Sequence, residues 1–520
     1  MPQQHVRLAG SERPRPTRSV AIADPVDPNE EIAVTVSLRN AGKNDNPQER
    51  RADAEKVKES LGQYGLRVTD ERLEVGSIEM TGKAKDLNRA FKTELRLYHS
   101  ERQGVFRGRE GELQIPADLD GIVAGVFGLD KRQVARRRVF PGSGDHGSFT
   151  PRNLEEHYQF PEGAGEGQKI AILEFGGCYF DDDTDTFCRN NGLTSPPVQI
   201  VPVGYTPPRN AQDLQRLSPT DLSNALEIAG EVMMDVQIIV GLCPEADISV
   251  YFADFDQKGW IDLLDRIIMD EPVTVSVSYG LAEDDPNWSL LGRDEIDRRL
   301  AAAADKGITV CVSSGDDGSG DQMDDDRCHV DFPASSAHVL SVGGTMIMEA
   351  GQETSWWISP GDRSGGGGAT GGGVSDIFDR PTWQKVKVTS LNPKPTKDGR
   401  VVPDVAALAG PPWYQLTLQG ETQLNGGTSA STPLWAALVA RVNALLPVAK
   451  QHRFLTPLLY GTGTNSKPVG QHVCQDIALG HDNRSTPFPG RGYKVQPGFD
   501  AVTGFGVPVG IELLKMLETI

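Results

Sequence analysis

Continuous apolar segments of strand length alternate with longer helical segments from residue 167 onward, and this alternation constrains the fold more than any other feature. Strands that are apolar on both faces are typical of parallel sheets, whose crossover connections are usually helices. In chain order the segments are KIAILEF, DLSNALEIAGEVMMDVQIIVGLC, DISVYFA, GWIDLLDRIIMD, VTVSVSYG, RDEIDRRLAAAADKG and ITVCVSSGDDG. They predict an α/β domain built on a doubly wound parallel sheet.

Residues 31–130 follow a different pattern, in which short strand-like segments surround two helical ones. The segment EIAVTVSLRN (31–40) alternates like a strand, and PQERRADAEKVKESLGQYG (47–65) has helical composition and ends at a glycine. Further strand-like and helical segments follow, and residues 112–130 are predicted to close the unit with a short strand and a helix. The order βαββαβ predicts a ferredoxin-like α+β domain.

The stretches around these two regions lack periodicity. Residues 1–30 are polar and proline-rich and are predicted to form a disordered arm. Residues 131–150 are basic and then rich in Gly and Ser, which predicts a linker that is either a plain connector or a cleavable junction. The glycine-rich run at 364–375 is either a flexible linker or, as the strand-like chain on both sides favours, a loop inside the domain. Residues 151–520 are therefore assigned to one α/β domain.

The charge is unevenly distributed and excludes some classes of partner. Residues 1–144 carry 25 Lys/Arg and 22 Asp/Glu, a net charge of +3, whereas the remainder carries 27 and 50, a net charge of −23. So acidic a body is an unfavourable partner for nucleic acid. An acidic surface also loses self-repulsion as the pH falls, which fits a protein that works in acid, although the same surface also serves solubility alone.

Membrane and export signals are not predicted by the sequence. No apolar run reaches the roughly 18 residues typical of a membrane span. The N-terminal stretch MPQQHVRLAGSERPRPTRS contains no apolar core of the kind found in a standard signal peptide.

The six cysteines form neither a CxxC pair nor a zinc-like cluster with histidine. Cys243 and Cys311 lie in apolar segments and are predicted to be small core residues. Cys178 and Cys188 either form a local disulfide or remain free.

The segment NGGTSASTPLW (425–435) resembles the nucleophile turn of subtilisin-type serine peptidases. A serine nucleophile normally needs a histidine to take its proton. None of the nine histidines is predicted to lie on an early helix of the α/β domain, where a subtilisin-like base belongs. His146, in the segment DHGS, lies in the linker and is not predicted to be catalytic.

An acidic pair lies on the early helical segment where the histidine of a subtilisin-type peptidase would be expected. Glu231 and Asp235, in GEVMMDVQIIVG, are four residues apart, so on a helix they share one face with Cβ atoms about 5–6 Å apart. Acidic side chains in an apolar helix are costly unless they are partnered or used, although a solvent-facing pair is the alternative. Glu174 and Asp316 each follow an apolar strand, and Ser429 opens a helix. Since the active crevice of an open α/β sheet lies at the carboxyl ends of its strands, we expect these five side chains to converge there.

The chain resembles the sedolisins, or serine-carboxyl peptidases, and among them the kumamolisins. The motifs that carry the resemblance are ILEFGG, GEVMMD, SVSYG, SSGDDGSGD, HVDFPASS, GGTSAS, DVAALA, QDIALG and QPGFDAVTGFG. The resemblance implies a Ser-Glu-Asp triad, with Ser429 as nucleophile, Glu231 as general base and Asp235 as the residue that orients it. It further implies that Asp316 donates to the oxyanion and that Glu174 extends the proton-sharing network.

The same resemblance implies how substrate is bound. The segment Ser278–Gly280 would bind the substrate backbone, although Tyr279 stands where kumamolisins carry Trp. Asp331, in HVDFPASS, would lie at the wall of the P1 pocket, where a carboxylate favours Arg or Lys.

A calcium ion is the implied cofactor. Asp476 and Asp500 lie in glycine-rich loops, and two carboxylates with backbone carbonyls make a hard oxygen site that suits calcium. The resemblance places the carbonyl ligands at Ile477, Gln496 and Gly498. The alternative is that both aspartates only form turns.

We therefore expect an acid-active endopeptidase that acts on protein or peptide substrates and is made as a self-processing zymogen. Residues 31–130 would be its propeptide and intramolecular inhibitor, the processing site would lie in 131–150, and the resemblance implies secretion. One alternative is a neutral subtilisin-type peptidase, and another is a non-catalytic peptide-binding protein on a peptidase scaffold. Acid is expected because Glu231 must be ionised while Asp316 is neutral.

Overall fold

The computed structural model of the chain describes residues 4–16, 19–39, 46–100, 103–134, 136–137, 140–142, 147–485 and 491–520. By their internal contacts the residues group into two compact units. The first comprises Met1–Ala135, Ala253–Asp270 and Asp285–Ala302, and the second comprises Arg136–Phe252, Glu271–Asp284 and Ala303–Ile520. The first unit therefore includes two segments that the sequence assigns to the α/β domain.

A four-stranded antiparallel sheet with two helices forms the centre of the first unit. Its elements before residue 135 are β1 (His5–Arg7), β2 (Ser19–Pro25), β3 (Glu31–Leu38), α1 (Pro47–Gly62), β4 (Arg67–Arg72), β5 (Ser77–Lys83), α2 (Ala84–Phe91), β6 (Arg96–Ser100), β7 (Gly104–Gly108), β8 (Gln114–Pro116) and β9 (Val123–Phe127). The sheet order β4-β5-β3-β9 is that of a ferredoxin-like domain, which confirms the prediction. Its core contains Val34, Val36, Leu61 and Leu87.

Two segments of this unit differ from their predictions. The described part of residues 1–30, predicted to be a disordered arm, forms β1, which pairs with β8, and β2, which pairs with β6. The anchors are apolar side chains, Leu8 and Val26, which are buried. The helix predicted near residue 120 is instead a short 3-10 turn, Ala117–Leu119, followed by β9, because Val123 and Val126 complete the sheet beside β3.

The rest of the chain begins with β10 and ends with α12. Its elements are β10 (Arg136–Arg137), β11 (Phe140–Pro141), β12 (Ser148–Phe149), α3 (Pro151–His157), β13 (Lys169–Phe175), α4 (Asp181–Asn190), β14 (Val198–Pro202), α5 (Ala211–Leu214), α6 (Pro219–Leu242), β15 (Asp247–Ala253), α7 (Gln257–Asp270), β16 (Thr274–Val277), β17 (Tyr279–Ala282), α8 (Leu290–Asp305), β18 (Thr309–Ser313), β19 (Asp331–Phe332), β20 (Leu340–Ile347), β21 (Glu353–Ser355), β22 (Trp357–Ile358), β23 (Gly368–Ala369), β24 (Gly373–Asp379), β25 (Gly399–Val402), β26 (Val405–Leu408), β27 (Trp413–Leu418), β28 (Glu421–Gly426), α9 (Thr428–Leu445), α10 (Leu455–Tyr460), α11 (Gly470–Val473), β29 (Cys474–Gln475), β30 (Val507–Pro508) and α12 (Gly510–Thr519).

An eight-stranded sheet forms the centre of the second unit. Its order is β14-β15-β13-β16-β18-β20-β21, with β26 also paired to β20. The pairs of β14 with β15, β13 with β16, β16 with β18, β18 with β20 and β20 with β26 are parallel, and β21 joins β20 antiparallel. The doubly wound, subtilisin-like parallel sheet is thereby confirmed. Helix α9 packs across β16, β18, β20 and β26 and against α6, so the two helices that carry the predicted triad are neighbours.

Helices α7 and α8 meet the sheet of the first unit through buried charged side chains. Arg299 of α8 donates from Nε to Asp265 of α7 at 2.7 Å, and from Nη2 to the hydroxyls of Ser37 at 3.0 Å and Ser77 at 2.9 Å. Arg72 of β4 pairs with the same Asp265 at 3.4 Å. All five side chains are buried, so this face of the first unit is polar.

The six cysteines are free and buried, so Cys178 and Cys188 do not form a disulfide. Among the residues that the structure describes, no helix has the length and apolar character needed to cross a membrane.

Candidate active site

Ser429 lies in the first turn of α9, immediately after β28 ends. Gly427 makes the turn between strand and helix with a φ of 94°, a conformation that glycine adopts without a steric penalty. The Ser429 hydroxyl is buried and, within the described ranges, has no hydrogen-bond partner. A hydroxyl at a helix N-terminus is close to unpaired backbone amides, which favour negative charge on a nearby atom.

Glu231 and Asp235 lie on one face of α6 and both are fully buried, so the alternative of a solvent-facing pair is wrong. The hydroxyl of Ser278 donates to Asp235 Oδ2 at 2.5 Å and also lies 3.3 Å from the carbonyl oxygen of Ser429. Ser278 therefore joins the acidic helix to the backbone of the serine.

Glu174 occupies the same region from the end of β13. The phenol of Tyr279 donates to Glu174 Oε2 at 2.8 Å, and the ring of Phe175 packs edge-on against Tyr279 with centroids 5.2 Å apart. The Tyr279 hydroxyl thus serves as the hydrogen-bond donor to Glu174.

The three carboxyl groups perturb one another. Burial raises the pKa of Glu174 well above its ordinary value, and the charge of Glu231 raises it further. Burial likewise raises the pKa of Asp235, with added repulsion from Glu174 and Glu231, against a lowering contribution from the Ser278 hydrogen bond. Groups coupled in this way share protons and titrate as a set.

Replacing Glu174 by Gln is expected to raise the melting temperature at pH 7 by roughly 2 °C or more and to change it little at pH 4. A carboxyl with a raised folded pKa is neutral in both states at low pH. As the pH rises above about 4, the unfolded chain ionises first, so the fold loses stability until the folded pKa is passed. The Glu174→Gln variant does not lose stability in this way, because its amide does not ionise.

Calorimetry at both pH values on Glu174→Gln in a Ser429→Ala background, which excludes self-digestion, measures this difference. Glu162→Gln, which removes an exposed carboxylate, is the matched control. An equal shift of the melting temperature at the two pH values would contradict the expectation.

Asp316 approaches Ser429 from the end of β18. Its Oδ1 accepts from the Thr428 backbone amide at 2.9 Å and from the Thr428 hydroxyl at 2.7 Å. Since Thr428 directly precedes the serine, the Asp316 carboxyl lies at the N-terminus of α9. A carboxyl group can donate to an oxyanion only while it is protonated.

The glycine-rich run at 364–375 lies inside the second unit, and its backbone is hydrogen-bonded to the segment that carries Asp316. Ala369 donates its amide to the Asp316 carbonyl at 2.9 Å, and Gly371 donates to the Gly315 carbonyl at 2.7 Å. A Cβ on Gly371 would lie 2.0 Å from the Ser314 carbonyl oxygen, so only glycine fits this approach. The run is therefore a loop that supports the end of β18.

The sequence reasoning missed an ion pair in this loop. Arg363 donates from Nη2 to Asp317 Oδ2 at 2.6 Å, and its backbone amide donates to Asp317 Oδ1 at 2.8 Å. The available signal was the second aspartate of SSGDDG together with an arginine at the start of the glycine-rich run.

The predicted substrate strand, β17, is paired on both sides. Antiparallel to it, β10 places Arg136 opposite Gly280 and Arg137 opposite Tyr279. On its other side β19 pairs antiparallel with it. A Cβ on Gly315 would lie 2.5 Å from Asp331 Oδ2, so the buried Asp331 carboxylate lies against the strand that leads to Asp316.

A second strand of the predicted linker pairs beside the serine. In β11, Phe140 lies opposite Gly426 and Pro141 opposite Asn425, antiparallel to β28. The described linker strands β10 and β11 thus pair with the two strands that flank the catalytic candidates. His146 lies outside the described residues.

The structure places one residue with a predicted carbonyl ligand beside each of the two predicted carboxylates, in two separate contacts. Gly498 donates its amide to Asp476 Oδ2 at 2.7 Å, and Gln496 donates its amide to Asp500 Oδ2 at 2.9 Å. Across the described residues no group of three or more His, Cys, Asp or Glu side chains could hold a metal. The predicted set has only two carboxylates with the carbonyls of Ile477, Gln496 and Gly498, and these all-oxygen donors fit calcium.

Two family models match the chain. The model described as "Pro-kumamolisin, activation domain" matches residues 42–132, and the model described as "Subtilase family" matches residues 210–469.

Curated relatives extend the match to most of the chain. Kumamolisin of Bacillus sp. (strain MN-32) is 36% identical over 487 residues, which cover 89% of this chain and 83% of the relative. Sedolisin of Pseudomonas sp. (strain 101) is 28% identical over 459 residues, covering 82% and 73%. Tripeptidyl-peptidase 1 of Homo sapiens is 31% identical over 310 residues, covering 55% and 51%. The solved structure of Pseudomonas sedolisin complexed with two molecules of pseudo-iodotyrostatin has a TM-score of 0.57 and 25% identity, over 72% of this chain and 99% of that one.

Proposed function

Because the chain belongs to the sedolisin family of serine-type peptidases, we propose that it is an acid-active serine-carboxyl endopeptidase made as a self-processing zymogen. The observation that carries the proposal is the complete burial of Glu231 and Asp235 on a helix that packs against the helix of Ser429. Two carboxyl groups buried on a largely apolar helix are costly, and that cost is explained if they serve the chemistry.

In the proposed mechanism the Ser429 Oγ attacks the carbonyl carbon of the scissile peptide bond while Glu231 accepts the hydroxyl proton. Asp235 holds Glu231 in place and is itself held by Ser278. The protonated Asp316 and the amides at the start of α9 stabilise the oxyanion of the tetrahedral intermediate. Glu231 then gives its proton to the leaving amine, and water hydrolyses the acyl-enzyme by the same steps in reverse order.

This mechanism requires acid because its two carboxyl groups need opposite protonation states. Glu231 acts as a base only while ionised, and Asp316 acts as a donor only while protonated. The mutual repulsion of Glu174, Glu231 and Asp235 keeps protons in the cluster above the ordinary carboxyl range. We therefore expect a bell-shaped activity profile that lies below neutrality.

The test is hydrolysis of a denatured protein by the purified mature chain from about pH 2 to pH 8, with Ser429→Ala assayed beside it. The expected result is a maximum below pH 6 that the variant lacks. A maximum at or above neutrality would favour the subtilisin-type alternative, and equal activity of both chains would point to a contaminating peptidase.

We infer that the linker is the first substrate. Its described strands pair with β17 and β28 on the two sides of Ser429, so the bond that is cut first lies between Arg137 and Phe140. This position lies inside the predicted processing region, and residues 138–139 are outside the described residues. Until the cut, the propeptide would act as an intramolecular inhibitor.

Asp331 is proposed to give the enzyme a preference for substrates with Arg or Lys at P1. Its buried carboxylate lies against the chain that leads to Asp316. Asp331→Ala would then lower cleavage after basic residues more than after apolar ones, and equal losses would remove the assignment. Secretion, which the resemblance implies, is proposed as well, and detection of the mature chain in culture medium is its test.

Calcium is proposed as a structural ion, held by the carboxylates of Asp476 and Asp500 with the carbonyls of Ile477, Gln496 and Gly498. When bound, it would stabilise the loops that these residues connect. A chelator is expected to lower the melting temperature of the unmodified chain, because a ligand that binds only the native state stabilises it by about 2.7 kcal/mol at a hundred times its dissociation constant. The double variant Asp476→Ala/Asp500→Ala should start lower and not respond.

Calorimetry with and without chelator, in the Ser429→Ala background, measures this response. Asp482→Ala, which removes a partly exposed carboxylate nearby in sequence, is the control and should respond like the parent. An unchanged melting curve after metal analysis has established removal of the ion would argue against the site.

A further inference from the structure

The side chain of Arg136 is held by a residue that the proposed chemistry does not use. In β10, the Arg136 backbone pairs with Gly280 of the substrate strand. Its guanidinium Nη1 donates to Gln322 Oε1 at 3.0 Å. The chain of the linker is thus fixed at this position by both its backbone and its side chain.

Gln322 is oriented from behind by the network next to Asp316. Its Nε2 donates to Asp317 Oδ1 at 2.9 Å, and Asp317 is in turn held by Arg363. Because the amide nitrogen already donates to Asp317, the amide oxygen faces the cleft as an acceptor. It therefore selects for a hydrogen-bond donor.

The backbone at this position is unusual in a way that supports a functional role. Asp321 and Gln322 have φ values of 43° and 57°, two consecutive left-handed residues that are not glycine. Such conformations are strained and persist where the surrounding structure requires them, often at functional sites. Here they turn the Gln322 side chain toward the cleft.

We propose that Gln322 is a specificity-determining residue that accepts a hydrogen bond from a basic side chain of the substrate at the position paired with Gly280. This inference rests on the proposed function and adds a preference that the predicted P1 pocket does not supply. The charge of the surroundings favours a cation, because the carboxyl groups of Asp317, which holds Gln322, and of Asp321 both act on the neighbouring guanidinium of Arg363. Hydrogen bonds in which the donor is charged are also about twice as strong as neutral ones.

The experiment uses a synthetic peptide with the chain's own sequence from Gln133 to Gly142 and two variants of it. Norleucine replaces Arg136 in one and Arg137 in the other, so the two peptides have the same charge. The mature enzyme, its Gln322→Leu variant and the control Gln212→Leu, which changes an exposed glutamine in α5, are compared by kcat/KM.

With the unmodified enzyme and with Gln212→Leu, we expect the replacement of Arg136 to lower kcat/KM about 10-fold, the effect of one lost hydrogen bond to a charged group. With Gln322→Leu the same replacement should cost less than about 2-fold, and the replacement of Arg137 should cost the same in all three enzymes. The pairwise comparison isolates the contact, because it cancels any general loss of activity.

An equal penalty for the Arg136 replacement in the unmodified enzyme and in Gln322→Leu would overturn the assignment. If Gln322→Leu does not fold, the unmodified enzyme still tests the assignment with a third peptide, in which citrulline, a neutral hydrogen-bond donor, replaces Arg136. No loss with norleucine overturns the assignment, and a loss with norleucine larger than that with citrulline supports it. Failure of the unmodified enzyme to cut any of the peptides, with no Ser429-dependent cleavage of denatured protein, would instead contradict the proposed function.

Discussion

Ser429→Ala is expected to abolish peptide hydrolysis and to leave the full-length chain uncut after incubation at pH 4. The variant lacks the only oxygen that can form the acyl-enzyme in the proposed mechanism, and loss of a serine nucleophile typically lowers kcat on the order of 10⁶-fold. The substitution removes one buried hydroxyl that has no hydrogen-bond partner within the described residues, so it should leave the fold intact. The measurements are hydrolysis of denatured protein and N-terminal sequencing of any new chain.

The matched control for this experiment lies two residues further along the same helix. Ser431 is also buried, but its hydroxyl donates to the Thr428 carbonyl at 2.8 Å and so belongs to the helix rather than to the cleft. Ser431→Ala should retain most of the activity and process itself. Processing of purified Ser429→Ala at acid pH, with no other peptidase present, would contradict the nucleophile assignment and point to another nucleophile in the chain.

Glu231→Gln is expected to lower kcat by at least about 10³-fold at every pH, because the amide cannot accept the serine proton. Gln has nearly the same shape as Glu, and the neutral amide also removes repulsion with Glu174 and Asp235. The melting temperature at pH 7 should therefore not fall. Asp235→Asn should likewise damage turnover more than folding, since Ser278 can still donate to its side-chain oxygen.

Glu227→Gln is the control for position and chemistry, because Glu227 lies one turn earlier on α6 and is exposed. It should behave like the unmodified enzyme in single-turnover and steady-state assays. Near-normal turnover of Glu231→Gln at its best pH would refute the triad and direct attention back to a histidine base.

The parallel sheet could be predicted from the sequence because its strands are buried on both faces and so appear as continuous apolar runs. The convergence of Glu174, Glu231, Asp235, Asp316 and Ser429 followed from the rule that parallel strands end at one edge. Physical reasoning alone did not assign their roles, however, since a solvent-facing pair at Glu231 and Asp235 was the simpler reading until their burial was known. The resemblance to sedolisins supplied the roles.

The parts that were not predicted depend on long-range pairing. Residues 5–7 and 19–25 lie in a stretch, 1–30, that is polar and proline-rich as a whole. Their order comes from pairing with distant strands, as in His5 with Pro116 of β8 and Ser19 with Ser100 of β6. The Arg136–Gln322 contact is of the same kind, because no local pattern links a linker arginine to a glutamine 186 positions later. Composition describes a segment by itself, whereas these segments are ordered by contacts with residues far away in the sequence.

The polar face around Arg299, Asp265 and Arg72 has a consequence for the fate of the two pieces after maturation. In the first unit, Arg299 of α8 donates to Ser37 and Ser77 of the ferredoxin-like sheet, and Asp265 of α7 pairs with Arg72 of the same sheet. When the propeptide departs, water can take over each of these hydrogen bonds, because all of the groups involved are charged or carry hydroxyls. The two faces that separate at this point are hydrophilic, so the freed enzyme exposes no apolar patch there that would favour aggregation.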